Sequence, residues 1–167
     1  YMKEAKAGLE EVYSAAGKPL PVIGIEPGRR IVGEAGITLY TVALRKEIPG
    51  VRSYVSVDGG MTDNIRVSMY QAEYEGVLAN RMNDAVEEKA RVVGRCCESG
   101  DIIQPDVLLP EPKRGDLIAV CTTGAYNYSM ASNYNRIPRP PVVMLKGGKP
   151  TLAVRRETVD DLTALDM

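Results

Sequence analysis

The sequence predicts a piece of α/β structure followed by an all-β domain, and three observations predict it. Apolar residues recur at helical spacing near the start of the chain. A short apolar run then ends in Pro-Gly. Beyond Gly36 the chain becomes a series of β-rich runs separated by Gly, Asp and Pro.

The elements follow in order. Met2, Ala5, Leu9, Val12, Tyr13 and Ala16 share one helical face; Gly17 supplies the stop and Pro19 follows. A helix that begins almost at residue 1 is an abrupt start for a domain, so the chain is expected to be cut from something longer. "PVIGIEPGRR" reads as a buried strand running into a turn. Helix then buried strand is the second half of a β/α unit. "ITLYTVALRKEI", "RSYVSVDGG", "EKARVVGRCC" and "DLIAVCTTG" are the next strands, and "PVVMLKGGKPTLAVRR" is a hairpin around Gly147-Gly148. Their spacing predicts an antiparallel sandwich or barrel. "TVDDLTALD" closes as a short helix, with Thr158 and Asp161 as a capping box. The boundary falls between Gly33 and Gly36, and the division is drawn as 1–35 for the α/β portion and 36–167 for the β-domain.

Composition narrows the chemistry. The 167 residues carry a formal net charge of -1 with both signs interspersed, so no basic footprint for nucleic acid exists. No apolar run reaches the roughly 18 residues of a membrane span. The first residues are too charged for a signal peptide. Three cysteines make no disulfide framework, and a reduced, cytoplasmic setting is expected, or a plastid in a plant. There is no His, Trp or Phe, but nine Tyr. Acid–base work within this chain therefore falls to Cys, Glu, Asp, Lys or Tyr.

Four stretches are candidates for a site. In "GIEPGRR", Gly28 lets backbone approach a ligand and Glu26 and Arg29 add opposite charges; the alternative is a plain turn with a surface ion pair. In "VDGGMTDNIRVSMY", Arg66 and Tyr70 share a face and suit a carboxylate; the alternative is a solvated Arg beside a packed Tyr. In "GRCCESGD", adjacent cysteines without His fit a metal poorly, and no C-x-x-C is present. Cys96 and Cys97 point to opposite faces if the strand persists, or both are small buried hydrophobes. In "TTGAYNYSMASNYN", Tyr126 opens a Tyr-rich segment that is either a ligand-facing helix start or a packing surface. Cys121 is expected within the preceding strand, in the core.

Taken together, "EPGR", "DGGMTDN...Y", "CESGD" and "TGAYNYSMASNYN" resemble, in order and approximate spacing, the diaminopimelate decarboxylases. These belong to the fold-type III pyridoxal-phosphate decarboxylases. The resemblance runs from about residue 22 to about residue 143 and implies the carboxyl-terminal portion of such an enzyme. It implies the last helix and strand of a TIM-like barrel, then a Greek-key-like β-domain. It implies pyridoxal 5'-phosphate as cofactor, with Glu26 at the pyridine nitrogen and Pro27, Gly28, Arg29 and Tyr126 around the phosphate and ring. Arg29, Arg66, Tyr70, Glu98 and Tyr126 correspond to substrate-binding positions, and Cys97 to the proton donor. Glu98 corresponds to the residue that meets the distal ammonium of meso-2,6-diaminopimelate. Cys96 has no counterpart role. A homodimer with shared sites is implied, because this loop enters the other subunit's site.

The family's cofactor lysine lies early in the barrel, and Lys3, Lys6 and Lys18 match nothing of that kind. The chain alone is therefore expected not to decarboxylate. Ornithine, arginine and carboxynorspermidine decarboxylases are the related alternatives; ornithine decarboxylases resemble "CD" where this chain has Cys97-Glu98. A non-catalytic dimerisation domain is the alternative from another class.

Overall fold

Six strands form the main sheet of a computed structural model that describes residues 2–167. They are β1 (Thr38–Ile48), β2 (Arg52–Val57), β3 (Gly76–Leu78), β4 (Glu88–Val93), β5 (Ile102–Leu109) and β6 (Leu117–Val120). Their order is β3-β6-β1-β2-β4-β5. The long β1 serves two partners. Thr38 to Thr41 pair with β6, and Val42 to Ile48 pair with β2 across a bulge between Val42 and Leu44. A bulge bends its strand, and here it turns the sheet toward closure. The two end strands then meet through Gln104 of β5. Its amide donates to the Tyr74 carbonyl at 2.9 Å, and its side chain fills the space that a Cβ on Gly76 of β3 would need. The result is a nearly closed barrel.

The core follows the two-residue period of a half-buried sheet. In β2, Ser53, Val55 and Val57 face inward while their neighbours are half-buried. Val92, Ile103, Ile118 and Val120 complete that interior with Val55 and Val57.

Two features depart from an all-antiparallel reading. β2 and β4 pair in parallel. Such a pair needs a long crossover, and residues 58–87, which include α2 (Arg66–Tyr70) and β3, supply it. β5, which contains Pro105, was not expected as a strand. It lies at the end of the strand order, and Pro105 falls where the register with β4 is irregular, between the pairs Ala90–Val107 and Val92–Gln104. Arg91 of β4 caps the Pro105 carbonyl at 3.0 Å.

The chain before the sheet is only partly as expected. α1 (Met2–Ala15) forms and stops at Gly17, whose φ is +63°. Lys18 N–H donates to the Tyr13 carbonyl at 2.9 Å and Gly17 N–H to that of Ser14 at 3.0 Å, a Schellman closure. The buried strand expected at residues 22–25 is absent. That stretch has no sheet partner, and Val22 is fully exposed. A parallel strand is built by neighbours on both edges and helices on both faces, and no described element offers these to residues 22–25. α1 itself buries no residue.

The carboxyl-terminal elements match their local signals. β7 (Val142–Lys146) and β8 (Lys149–Val154) make a hairpin whose Gly147 and Gly148 have φ of +56° and +73°. Positive φ at both positions is what a two-residue primed turn requires. α3 (Val159–Thr163) has its capping box: Asp161 N–H donates to Thr158 Oγ1, and Thr158 N–H donates to the Asp161 carboxylate. The Arg155 guanidinium, bidentate on that carboxylate, holds it well below the usual range.

What positions the site is the seam between residues 28–36 and 122–126. Gly124 N–H donates to the Gly33 carbonyl at 3.0 Å, and Thr123 N–H to that of Gly36 at 2.9 Å. A Cβ on Gly124 would fall against the Val32 carbonyl oxygen, so only glycine permits this approach.

Candidate active site

The first group of candidate residues converges on Tyr126. Pro27 leads into a single helical turn, Gly28–Arg30, with φ of -67° at Pro27 and +51° at Gly28. The Tyr126 hydroxyl occupies the place of a Gly28 side chain. Left-handed backbone and close approach both demand glycine there. The stem of Arg29 lies against Gly33, and its Nε is buried without a hydrogen-bond partner. Glu26 is exposed.

Arg66 approaches the same ring. Its Cζ lies 4.9 Å from the Tyr70 ring centroid and 5.9 Å from that of Tyr126. The four-residue spacing on α2 brings Tyr70 over Arg66; the barrel brings Tyr126. Nη1 touches the Met130 sulfur at 3.7 Å, and Nε is buried and unpartnered. A guanidinium close to two phenol rings, without a carboxylate on it among the described residues, has the chemistry to take an anion.

The cysteine loop forms a second group. β4 ends at Val93, so the strand geometry that would send Cys96 and Cys97 to opposite faces does not apply. Residues 94–101 form a tight loop instead, closed by Gly94 N–H on the Asp101 carbonyl at 2.9 Å and Asp101 N–H on that of Glu98 at 3.1 Å. The buried Asp101 carboxylate accepts from Cys96 N–H and Met61 N–H, each at 2.6 Å. Cys96 is half-buried; burial first, and then Asp101, pushes its thiol up to about 11. Cys97 is exposed, contrary to a reading of both as buried hydrophobes. Cys121 is half-buried one residue beyond β6, not within it.

Several residues here escaped the sequence reading. Asp101 fastens the loop to Gly60 and Met61, and a Cβ on Gly60 would sit 2.8 Å from its carboxylate. Asp63 accepts from Gly60 N–H and Thr62 Oγ1, each at 3.1 Å, and its burial raises its carboxyl above the usual range. Tyr134 donates its hydroxyl to Glu98, and Asn135 accepts from Cys97 N–H at 3.4 Å. Ser68 of α2 donates to the Gly100 carbonyl. The Asp after Ser-Gly in "CESGD" was the available signal for Asp101, but its burial is tertiary. Among the described residues, no hydrogen bond, ion pair or ring contact joins Cys97 or Glu98 to Arg66, Tyr126 or Glu26.

The thiols are expected to separate by reactivity. The thiolate is the nucleophile, and Cys96 at about 11 carries little of it near neutral pH. With limiting iodoacetamide at pH 8, Cys97 is expected to be labelled well before Cys96. Peptide mass spectrometry reads the order; equal labelling would contradict the loop geometry.

A family model described as "Pyridoxal-dependent decarboxylase, C-terminal sheet domain" matches residues 12–124. The chain belongs to this decarboxylase family. Within it, the chain is 54% identical over 167 residues to the diaminopimelate decarboxylase of Bacillus subtilis (strain 168), covering 100% of this chain and 38% of that protein. The crystal structure of diaminopimelate decarboxylase from M. jannaschii superposes with a TM-score of 0.82 at 36% identity, over 90% of this chain and 34% of that one. The Helicobacter pylori diaminopimelate decarboxylase complexed with L-lysine superposes with a TM-score of 0.77 at 37% identity, over 84% of this chain and 34% of that one. The chain thus spans 38% of the length of its Bacillus relative. No described helix is long and apolar enough to cross a membrane.

Proposed function

We propose that this chain is the carboxyl-terminal part of a diaminopimelate decarboxylase, which converts meso-2,6-diaminopimelate to L-lysine and CO2. The observation that carries the reading is the convergence on Tyr126 of the Gly28 turn and the Arg66 guanidinium. The 54% identity to a diaminopimelate decarboxylase supports it. Residues 1–35 belong on this reading to a cofactor-binding barrel, and 36–167 to a β-domain that contributes substrate and dimer contacts.

The residues present fit pyridoxal phosphate. Gly28 lets the Tyr126 hydroxyl lie directly against the turn, and Arg29 beside it has a buried Nε without a partner. Pro27, Gly28, Arg29 and Tyr126 would hold the phosphate and ring, and Glu26 the pyridine nitrogen. When bound, the cofactor supplies an electron sink for the pair released as the carboxylate leaves.

The other roles belong to side chains of this chain. Arg29, Arg66, Tyr70 and Tyr126 bind and orient substrate carboxylate and polar groups. Glu98 meets the distal ammonium. The C–C bond to the departing carboxylate breaks, and Cys97 delivers from its thiol the proton that forms the new C–H bond at the same carbon. Among the described residues no hydrogen bond, ion pair or ring contact joins Cys97 or Glu98 of the 94–101 loop to Arg66, which suits a homodimer in which each copy completes the other's site.

The test is substrate preference. Full-length enzyme loaded with cofactor is expected to release CO2 and form lysine from meso-diaminopimelate with kcat/KM at least about 100-fold above that for L-ornithine; a hundredfold is about 2.7 kcal/mol of differential binding. A preference for ornithine would overturn the assignment.

A further inference from the structure

Tyr134 and Asn135 have no part in the roles above, yet these two adjacent residues grip the two adjacent residues Cys97 and Glu98. The Tyr134 hydroxyl donates to Glu98 Oε1, and the Asn135 side chain accepts from Cys97 N–H at 3.4 Å. The backbone is shaped for this grip. Asn135 and Arg136 have φ of +55° and +53°, inside the short helical turn Tyr134–Arg136. Asn is among the few residues that enter this region readily. Asp101 holds the loop from behind by its backbone, whereas Tyr134 reaches the functional carboxylate itself.

An exposed glutamate is free at all its side-chain rotors, and a bond to one oxygen removes much of that freedom. It also leaves the second oxygen, and spare lone pairs on the first, for a ligand cation. The phenol is suited to the task, because Glu98 pushes its ionisation up and keeps it a donor.

We propose that Tyr134 is a positioning residue that orients Glu98 toward the distal ammonium of the substrate, and so favours substrates that carry one. This rests on the assignment of Glu98 made above. Tyr134 is exposed at its ring, so the change to Phe keeps the packing and removes one hydroxyl.

The experiment uses full-length, cofactor-loaded enzyme. Tyr134→Phe is expected to lower kcat/KM for meso-diaminopimelate by about 3- to 10-fold, mainly through KM, as the loss of one charge-assisted bond at an exposed site. In the Glu98→Gln background the same change is expected to add less than about twofold, because the two groups act as a pair. For an analogue with hydrogen in place of the distal amino group, Tyr134→Phe is expected to change kcat/KM by less than about twofold. The melting temperature is expected to stay at the parent value. If Glu98→Gln impairs the enzyme and Tyr134→Phe does not, the proposal fails and the reading of Glu98 stands. If neither impairs it, both fail. Equal losses on the two substrates, or a lowered melting temperature, would make Tyr134 a merely structural residue and overturn the proposal.

Discussion

Cys97→Ala in the full-length enzyme is expected to lower kcat by about 10²–10⁴-fold, the usual contribution of a positioned general acid, while pyridoxal phosphate still binds. The exposed Cys97 is held through its backbone N–H, which leaves the thiol free to serve a reacting carbon. Cys96 is held differently. Its backbone is tied to Asp101 and its thiol is kept protonated up to about 11. Cys96→Ala is accordingly expected to cost little activity. The shared-site proposal adds a second measurement. Cys97→Ala subunits are mixed and exchanged with subunits that lack the cofactor lysine. Each heterodimer then regains one intact site of two, and activity returns to about a quarter of wild type in a statistical mixture. No recovery after proven exchange would assign Cys97 to its own subunit or to no catalytic role.

Glu98→Gln is expected to lower kcat/KM for meso-diaminopimelate by roughly ten- to a hundredfold. On the proposed role, the change removes the charge from a hydrogen bond to an ammonium, an interaction worth about 1.5–3 kcal/mol. A lysine-like analogue that lacks the distal carboxylate but keeps the ammonium should lose a similar factor. Replacing Arg66 should instead weaken substrates that carry the carboxylate, since its guanidinium lies close to Tyr70 and Tyr126 with no carboxylate on it among the described residues. Steady-state kinetics on the two variants and two substrates reads the pattern. An unchanged kcat/KM in the Gln variant would remove Glu98 from the site.

Elements whose signals are local were legible in the sequence. The stop of α1 at Gly17, the Gly147-Gly148 turn and the box of Thr158 and Asp161 each depend on residues within a few positions of one another. Strands β1, β2, β4 and β6 showed as β-rich runs separated by Gly, Asp and Pro. The four stretches around Glu26, Arg66, Cys97 and Tyr126 also stood in the sequence, with Arg66 and Tyr70 suited to a carboxylate by residue type and the other roles implied only by the resemblance that the stretches carry together.

Tertiary structure alone decided the remainder, because each of these features depends on what lies across a long stretch of chain. Pro105 is tolerated in β5 because that strand ends the sheet order. β2 and β4 run parallel because of a crossover that no turn signal announces. The run at residues 22–25 looked like a buried strand by composition, yet an apolar run becomes one only where other strands offer it an edge. The end of β4 at Val93, which sets the direction of both cysteines, follows from the buried Asp101 drawing the backbone into a loop. The pairing of Tyr134 with Glu98 spans 36 residues. Spacing rules describe neighbours along one helix or strand, so they place Arg66 beside Tyr70. Only the closure of the barrel and the seam at Gly33 and Gly124 place it beside Tyr126.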